Sequence, residues 1–256
     1  MIDGEWPARP SEVRASPTAP VPRVALRAVD PVVTVLVRWG VSANAVTLVS
    51  LVLAAIGGVL LCVGLLGPGC LVMVIASLGD AIDGPLARRT RSASVGGALL
   101  DASVDRYEEF LFLGGLAVYL RASVPALLVA LFALAGSFMV SYGSAKAEAL
   151  AVAVPPGAMR RADRAICLCL GVGATPAFGW LAARGAVPGW AARAPLFAAL
   201  GLIAVVANAS AVRRLRGLAH ASLRAAAREI PPDASVPGVP DPRASLCGVP
   251  TITARS

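Results

Sequence analysis

Six apolar stretches, at roughly 46–66, 70–90, 95–120, 123–148, 163–183 and 194–213, set the limits on what this chain can become. Each is near the ~20 residues that a helix needs to cross the hydrocarbon core of a bilayer. A segment in lipid must satisfy its own backbone hydrogen bonds, so stretches of this length fold as helices. Turn signals separate them: Gly67-Pro68-Gly69, the Arg88–Arg91 run, Pro155-Pro156-Gly157 and Pro188-Gly189. The expected fold is an all-α integral membrane protein with six transmembrane helices. Composition agrees, since 57% of the residues are hydrophobic, against about 45–50% in a soluble domain.

Residues 24–40 mix apolar side chains with Arg27, Asp30 and Arg38. That pattern suits an amphipathic helix lying in the membrane interface, broken near Pro31. Ser42 and Asn44 then offer N-cap chemistry. Residues 1–23 are polar and Pro-rich, without the apolar run of a secretory signal. Residues 217–256 are again Pro-rich and weakly patterned. Both ends are expected to be disordered tails around one membrane domain, 24–216.

The formal charge of +8 is carried almost wholly by arginine, with Lys146 the only lysine. Basic residues lie ahead of the first stretch, between the second and third, between the fourth and fifth, and after the sixth. The opposite links hold only Arg121, Arg184 and Arg193. The positive-inside rule then puts both termini in the cytoplasm and the chain in the inner (cytoplasmic) membrane as a multi-pass protein. Charge so distributed is topological, and no nucleic-acid partner is expected. None of the five cysteines has metal-site spacing, and Cys167 and Cys169 read as small core residues. The single histidine, His220, lies in the polar C-terminal region, which excludes a histidine-based metal site or triad within the membrane.

Two of the apolar stretches carry acids. The second ends in SLGDAIDGPLARR and the third begins GGALLDASVDRYEEF. An ionised aspartate at a helix centre costs ~2.5–3.5 kcal/mol on insertion scales, so four of them call for divalent cations or a water-filled cavity. Asp80 and Asp83 share a helix face, which Gly84 and Arg88 extend. Gly97, Asp101 and Asp105 form a stripe on the next helix. The short link between these helices favours antiparallel pairing, with the two carboxylate faces meeting near the cytoplasmic end. Oxygen ligands without His or Cys suit Mg²⁺ or Mn²⁺. Arg88 is either a salt-bridge partner or a fork for phosphate. Glu108 and Glu109 lie one turn past Asp105, where a supporting role and a packing or solvated role are both open. Gly57-Gly58 and Gly96-Gly97 read as notches for close helix packing. By spacing alone, a metal-dependent phosphate-transfer site and a divalent-cation transporter are about equally favoured.

The pattern Asp80-x-x-Asp83-Gly84-x-x-Ala87-Arg88, eight residues, then Gly97-x-x-x-Asp101-x-x-x-Asp105 resembles the signature of the CDP-alcohol phosphatidyltransferases at every defined position. The resemblance implies that Asp80, Asp83, Asp101 and Asp105 hold two divalent ions, Mg²⁺ or Mn²⁺, on the pyrophosphate of CDP-diacylglycerol. Asp80, Gly84, Ala87, Arg88 and Gly97 would seat the CDP-lipid, and Thr47, from Asn44-Ala45-Val46-Thr47, would line the same pocket. Asp105 would be the base that takes the acceptor's proton before CMP leaves. It also implies a homodimer.

The acceptor falls outside the signature. SYGSAKAEAL and the later Arg161-x-x-Arg164 resemble regions of the phosphatidylinositol-phosphate synthases, which implies a phosphate-bearing acceptor held by Lys146, Arg161 and Arg164. A basic residue is common where Ser144 stands. Inositol phosphate ranks first as the small polar acceptor, glycerol 3-phosphate second and serine third.

Overall fold

The computed structural model describes residues 23–150, 152 and 158–229. Seven helices follow in order: α1 (Arg23–Arg38), α2 (Ala43–Cys62), α3 (Leu66–Arg89), α4 (Val95–Tyr119), α5 (Val124–Ala149), α6 (Arg161–Ala183) and α7 (Ala194–Glu229). A 3-10 turn, Gly189–Arg193, leads into α7, and no strand occurs among the described residues. Ser42 caps α2 by accepting from the Ala45 amide at 3.2 Å, as its position before the apolar run predicts.

Five segments are long and apolar enough to cross a membrane: Ala43–Cys62, Leu66–Arg89, Val124–Ala149, Arg161–Ala183 and Gly189–Leu223. α4 has the length, but Asp101, Asp105, Arg106, Glu108 and Glu109 lower its hydropathy. The burial pattern inverts that of a soluble bundle. α2 exposes Leu48, Val52, Ile56 and Val59 while burying Thr47, Ser50, Gly57 and Gly58. An outer surface of this kind needs an apolar solvent, and the chain is a multi-pass membrane protein.

Small residues let the helices approach. A Cβ on Gly115 of α4 would lie 2.4 Å from the Gly58 carbonyl oxygen of α2, and one on Gly58 would lie 2.7 Å from the Leu111 carbonyl. Gly58 is therefore the packing notch the sequence suggests. Gly115→Ala should push α2 and α4 apart at a cost of about 1–3 kcal/mol, the usual range for overpacking. A lowered melting temperature in detergent is the expected result, and an unchanged one would show that the crossing has slack. Gly96 and Gly97 are not such a notch: no neighbouring atom lies within 4 Å of a Cβ at Gly96, and Gly97 would meet only Ser94 Oγ and Asn44 Oδ1.

Four further expectations are corrected. α3 and α4 do not pair closely; both pack along α2, and their acidic faces meet across a gap. The helix link is short, but charged side chains and cavities fill the space that an interlocked apolar seam would need. α1 is not broken at Pro31. Thr34 donates to the Asp30 carbonyl at 2.8 Å, and Arg89 of α3 grips Asp30 at 2.8 Å and Thr34 at 3.0 Å, which fixes this turn. α7 runs past 216 to Glu229 and takes His220 with it. The residues there are mostly Ala, Leu and Arg, strong helix formers, and the prolines begin only at Pro231. Lys146, finally, is exposed and stands outside the site described below. The tails 1–22 and 230–256, and the Pro155-Pro156-Gly157 turn, lie outside the described residues.

Candidate active site

The acids gather where the C-terminal end of α3 faces the N-terminal halves of α4 and α6. Asp80, Asp105 and Glu108 each bring a carboxylate oxygen within 4.8 Å of the others. Asp83 is turned to the opposite side, where the Thr47 hydroxyl of α2 donates to its Oδ2 at 2.7 Å. Thr47 and Asp83 are both buried, so this bond fixes the carboxylate without help from water. Asp101 stands beside Asp83 along one wall.

That wall bounds a cavity of about 180 Å³. Thr47, Asp83, Gly84, Ala87, Arg88, Gly97 and Asp101 all line it. These are the residues that the sequence assigns to CDP, together with two of the four aspartates. Gly84 and Gly97 present no side chain, which leaves room for a flat ring or a pyrophosphate to approach backbone. Asp80, which the sequence also assigned to the CDP-lipid, does not line this cavity.

A second cavity, of about 360 Å³, opens on the other side of the acids. Asp105 lines it, with Arg160, Arg161, Arg164, Arg214 and Ser144. Lys146 does not. Arg161 Nη2 is 2.7 Å from Asp80 Oδ2 and 2.9 Å from Glu108 Oε2. Its Nη1 is 2.7 Å from Asp105 Oδ1, an ion-pair contact at an angle unsuited to a hydrogen bond. Arg164 is 3% exposed and pairs with both oxygens of Glu109, at 2.8 and 3.2 Å. Its charge is already matched, so it forms a fixed wall of the cavity and not a free phosphate ligand.

Sequence reasoning missed Arg214. It reaches in from α7 and donates to the Ser144 hydroxyl of α5. Its Nε is buried and has no partner among the described residues. A guanidinium thus stands beside Ser144. Only the packing of α5 on α7 brings these positions together. Glu108 was legible as one helical turn from Asp105, but its partner Arg161 was not.

The donor set fits a hard divalent cation. It is all carboxylate oxygen, and Asp80 Oδ1 and Glu108 Oε1 are buried without a hydrogen-bond partner among the described residues. Such orphaned acceptors are costly unless a cation or water completes them.

The sequence profile of the CDP-alcohol phosphatidyltransferase family matches residues 40–205. The chain is 36% identical over 182 residues to a bifunctional IPC transferase and DIPP synthase of Rubrobacter xylanophilus, covering 69% of this chain and 37% of that one. It is 30% identical over 201 residues to a phosphatidylinositol phosphate synthase of Cutibacterium acnes, covering 73% and 93%. The crystal structure of the Mycobacterium tuberculosis phosphatidylinositol phosphate synthase with CDP-DAG bound is similar at a TM-score of 0.64 and 28% identity, covering 75% of this chain and 94% of that one. The same mycobacterial enzyme in complex with manganese and citrate is similar at a TM-score of 0.63 and 28% identity, covering 73% and 87%.

Proposed function

The chain belongs to the CDP-alcohol phosphatidyltransferase family, and from that premise we propose that it transfers the phosphatidyl group of CDP-diacylglycerol to a hydroxyl of an inositol phosphate, with release of CMP. One observation carries this reading: the acids separate a glycine-lined cavity, matching the family's nucleotide positions, from an arginine-lined cavity suited to a phosphate-bearing acceptor. Two divalent ions held by Asp80, Asp83, Asp101 and Asp105, Mg²⁺ or Mn²⁺, would neutralise the pyrophosphate. Arg88 adds a charge on the nucleotide side. Thr47 keeps Asp83 aimed. Asp105, 26% exposed toward the acceptor cavity, takes the proton of the attacking hydroxyl. A new bond forms from that oxygen to the phosphorus bearing the lipid, and the phosphoanhydride bond to CMP breaks. Arg161 and Arg214, from two sides of the acceptor cavity, hold the acceptor's own phosphate by charge-assisted hydrogen bonds, and Arg164 forms its fixed wall.

We extend the reading to topology. α4 is the sixth crossing, its acids turned into the bundle, where charged groups in membranes belong. α1 lies along the interface: Val33 is buried against the bundle, while Val32, Val35 and the neighbouring Trp39 are exposed to lipid. Both termini are then cytoplasmic, and the two cavities open to the compartment that supplies CDP-lipid and acceptor.

The deciding experiment measures CMP release from CDP-diacylglycerol by the purified chain, offered inositol phosphate, glycerol 3-phosphate or serine in turn. Inositol phosphate should be the preferred acceptor by kcat/KM. Preference for glycerol 3-phosphate would keep the arginine cavity and change the alcohol. No CMP with any acceptor, from folded protein, would defeat the reading.

A further inference from the structure

Arg161 belongs to both halves of the site. Its guanidinium touches Asp80 and Asp105, which are proposed metal ligands, so it and a divalent ion compete for the same carboxylates. It also lines the acceptor cavity. The third carboxylate on it, Glu108, lies outside the family signature and is 1% exposed, whereas the Arg161 side chain is 37% exposed. The guanidinium therefore has a closed side, anchored on Glu108, and an open side toward the acceptor cavity. A buried carboxylate in a membrane helix persists only with a partner. Among the described residues, Arg161 is the one cation paired with Glu108.

We propose that Arg161 is an internal counter-ion: it holds Asp80 and Asp105 together until a divalent ion takes over the charge of their carboxylates, and then serves the acceptor's phosphate while Glu108 keeps it tethered. The acceptor half rests on the transferase reading; the counter-ion half does not. A guanidinium carries five N–H donors, so a single bond to Glu108 leaves most of them for phosphate oxygens. Arg164 cannot replace it, because Glu109 already engages its guanidinium through two bonds. The arrangement couples the two sites. Metal binding frees Arg161 for phosphate, and by linkage phosphate must tighten metal binding by the same factor.

The test uses the full chain in lipid nanodiscs, with Mn²⁺ binding followed by loss of the free-ion EPR signal and no CDP-lipid present. Arg161→Gln should lower the Mn²⁺ Kd by about tenfold, the scale of a typical coupling. Arg213→Gln is the control. It removes the same charge, and Arg213 is exposed, lines neither cavity and makes no ion pair among the described residues; its Kd should move by less than about twofold. Arg161→Lys keeps the charge and topology and should fall between. An unchanged or weaker affinity in Arg161→Gln and Arg161→Lys, or an equal shift in Arg213→Gln, overturns displacement. Saturating inositol phosphate should then tighten Mn²⁺ binding more in the wild type than in Arg161→Gln, and an equal effect in both overturns the hand-over. None of these readings needs turnover, so absence of CMP release would defeat the transferase reading and leave this one standing.

Discussion

Asp105→Asn is expected to cut kcat for CMP release by about 10²–10⁴-fold, the contribution of a positioned general base. The substitution keeps the size and shape of the side chain and removes its ability to accept the acceptor's proton. Position supports this role for Asp105 over the other three aspartates. Asp83 is buried and tied to Thr47, and Asp101 faces the nucleotide cavity. Asp80 has 8% of its side chain exposed, against 26% for Asp105, and it does not line the acceptor cavity. Asp105 alone combines the metal cluster with a surface that an acceptor hydroxyl can reach. Binding of CDP-diacylglycerol should survive within about threefold, because Asp105 does not line the nucleotide cavity. Normal turnover in the variant would refute the base assignment. Loss of CDP-lipid binding would mean that Asp105 acts chiefly as a metal ligand and not as the base.

The nucleotide half of the site was legible because its residues lie close in sequence on regular helices. Three- and four-residue spacings put Gly84 and Arg88 on one helix face and Gly97 and Asp101 on another, the family resemblance adds Ala87 and joins the two faces, and all five line one cavity. Thr47 joins them through the start of α2. The acceptor half was not legible, because it depends on contacts between distant helices. Arg214 enters through the packing of α7 on α5, and no local pattern announces it. Lys146 was misread for a reason helical geometry supplies: two residues after Ser144, it points about 200° around the helix and so away from the cavity. Arg164 matched a family position, yet its buried pairing with Glu109 links α6 to α4, a contact no spacing encodes. The separation of α3 from α4 was hidden likewise, since a short link constrains where helices start and not whether their faces interlock.

Arg214→Ala should raise the KM for a phosphate-bearing acceptor by about a hundredfold, the scale of removing a charge-assisted hydrogen bond from a partly buried site. The KM for CDP-diacylglycerol should change by less than about twofold, because Arg214 and the nucleotide cavity lie on opposite sides of the acids. The local structure holds this side chain ready. Gly143 supplies the room, since a Cβ there would lie 3.0 Å from Arg214 Cδ. Ser144 accepts one of its donors, and the buried Nε is without a partner among the described residues. Phosphate is the natural completion of that donor set. Ser144→Arg in the Arg214→Ala background returns a guanidinium to the same cavity from α5, and should recover most of the loss, to within about tenfold of the wild type. With inositol in place of inositol phosphate, neither variant should alter the acceptor kinetics. An equal KM increase for both alcohols would mean that Arg214 supports the packing of α5 on α7 and not the phosphate.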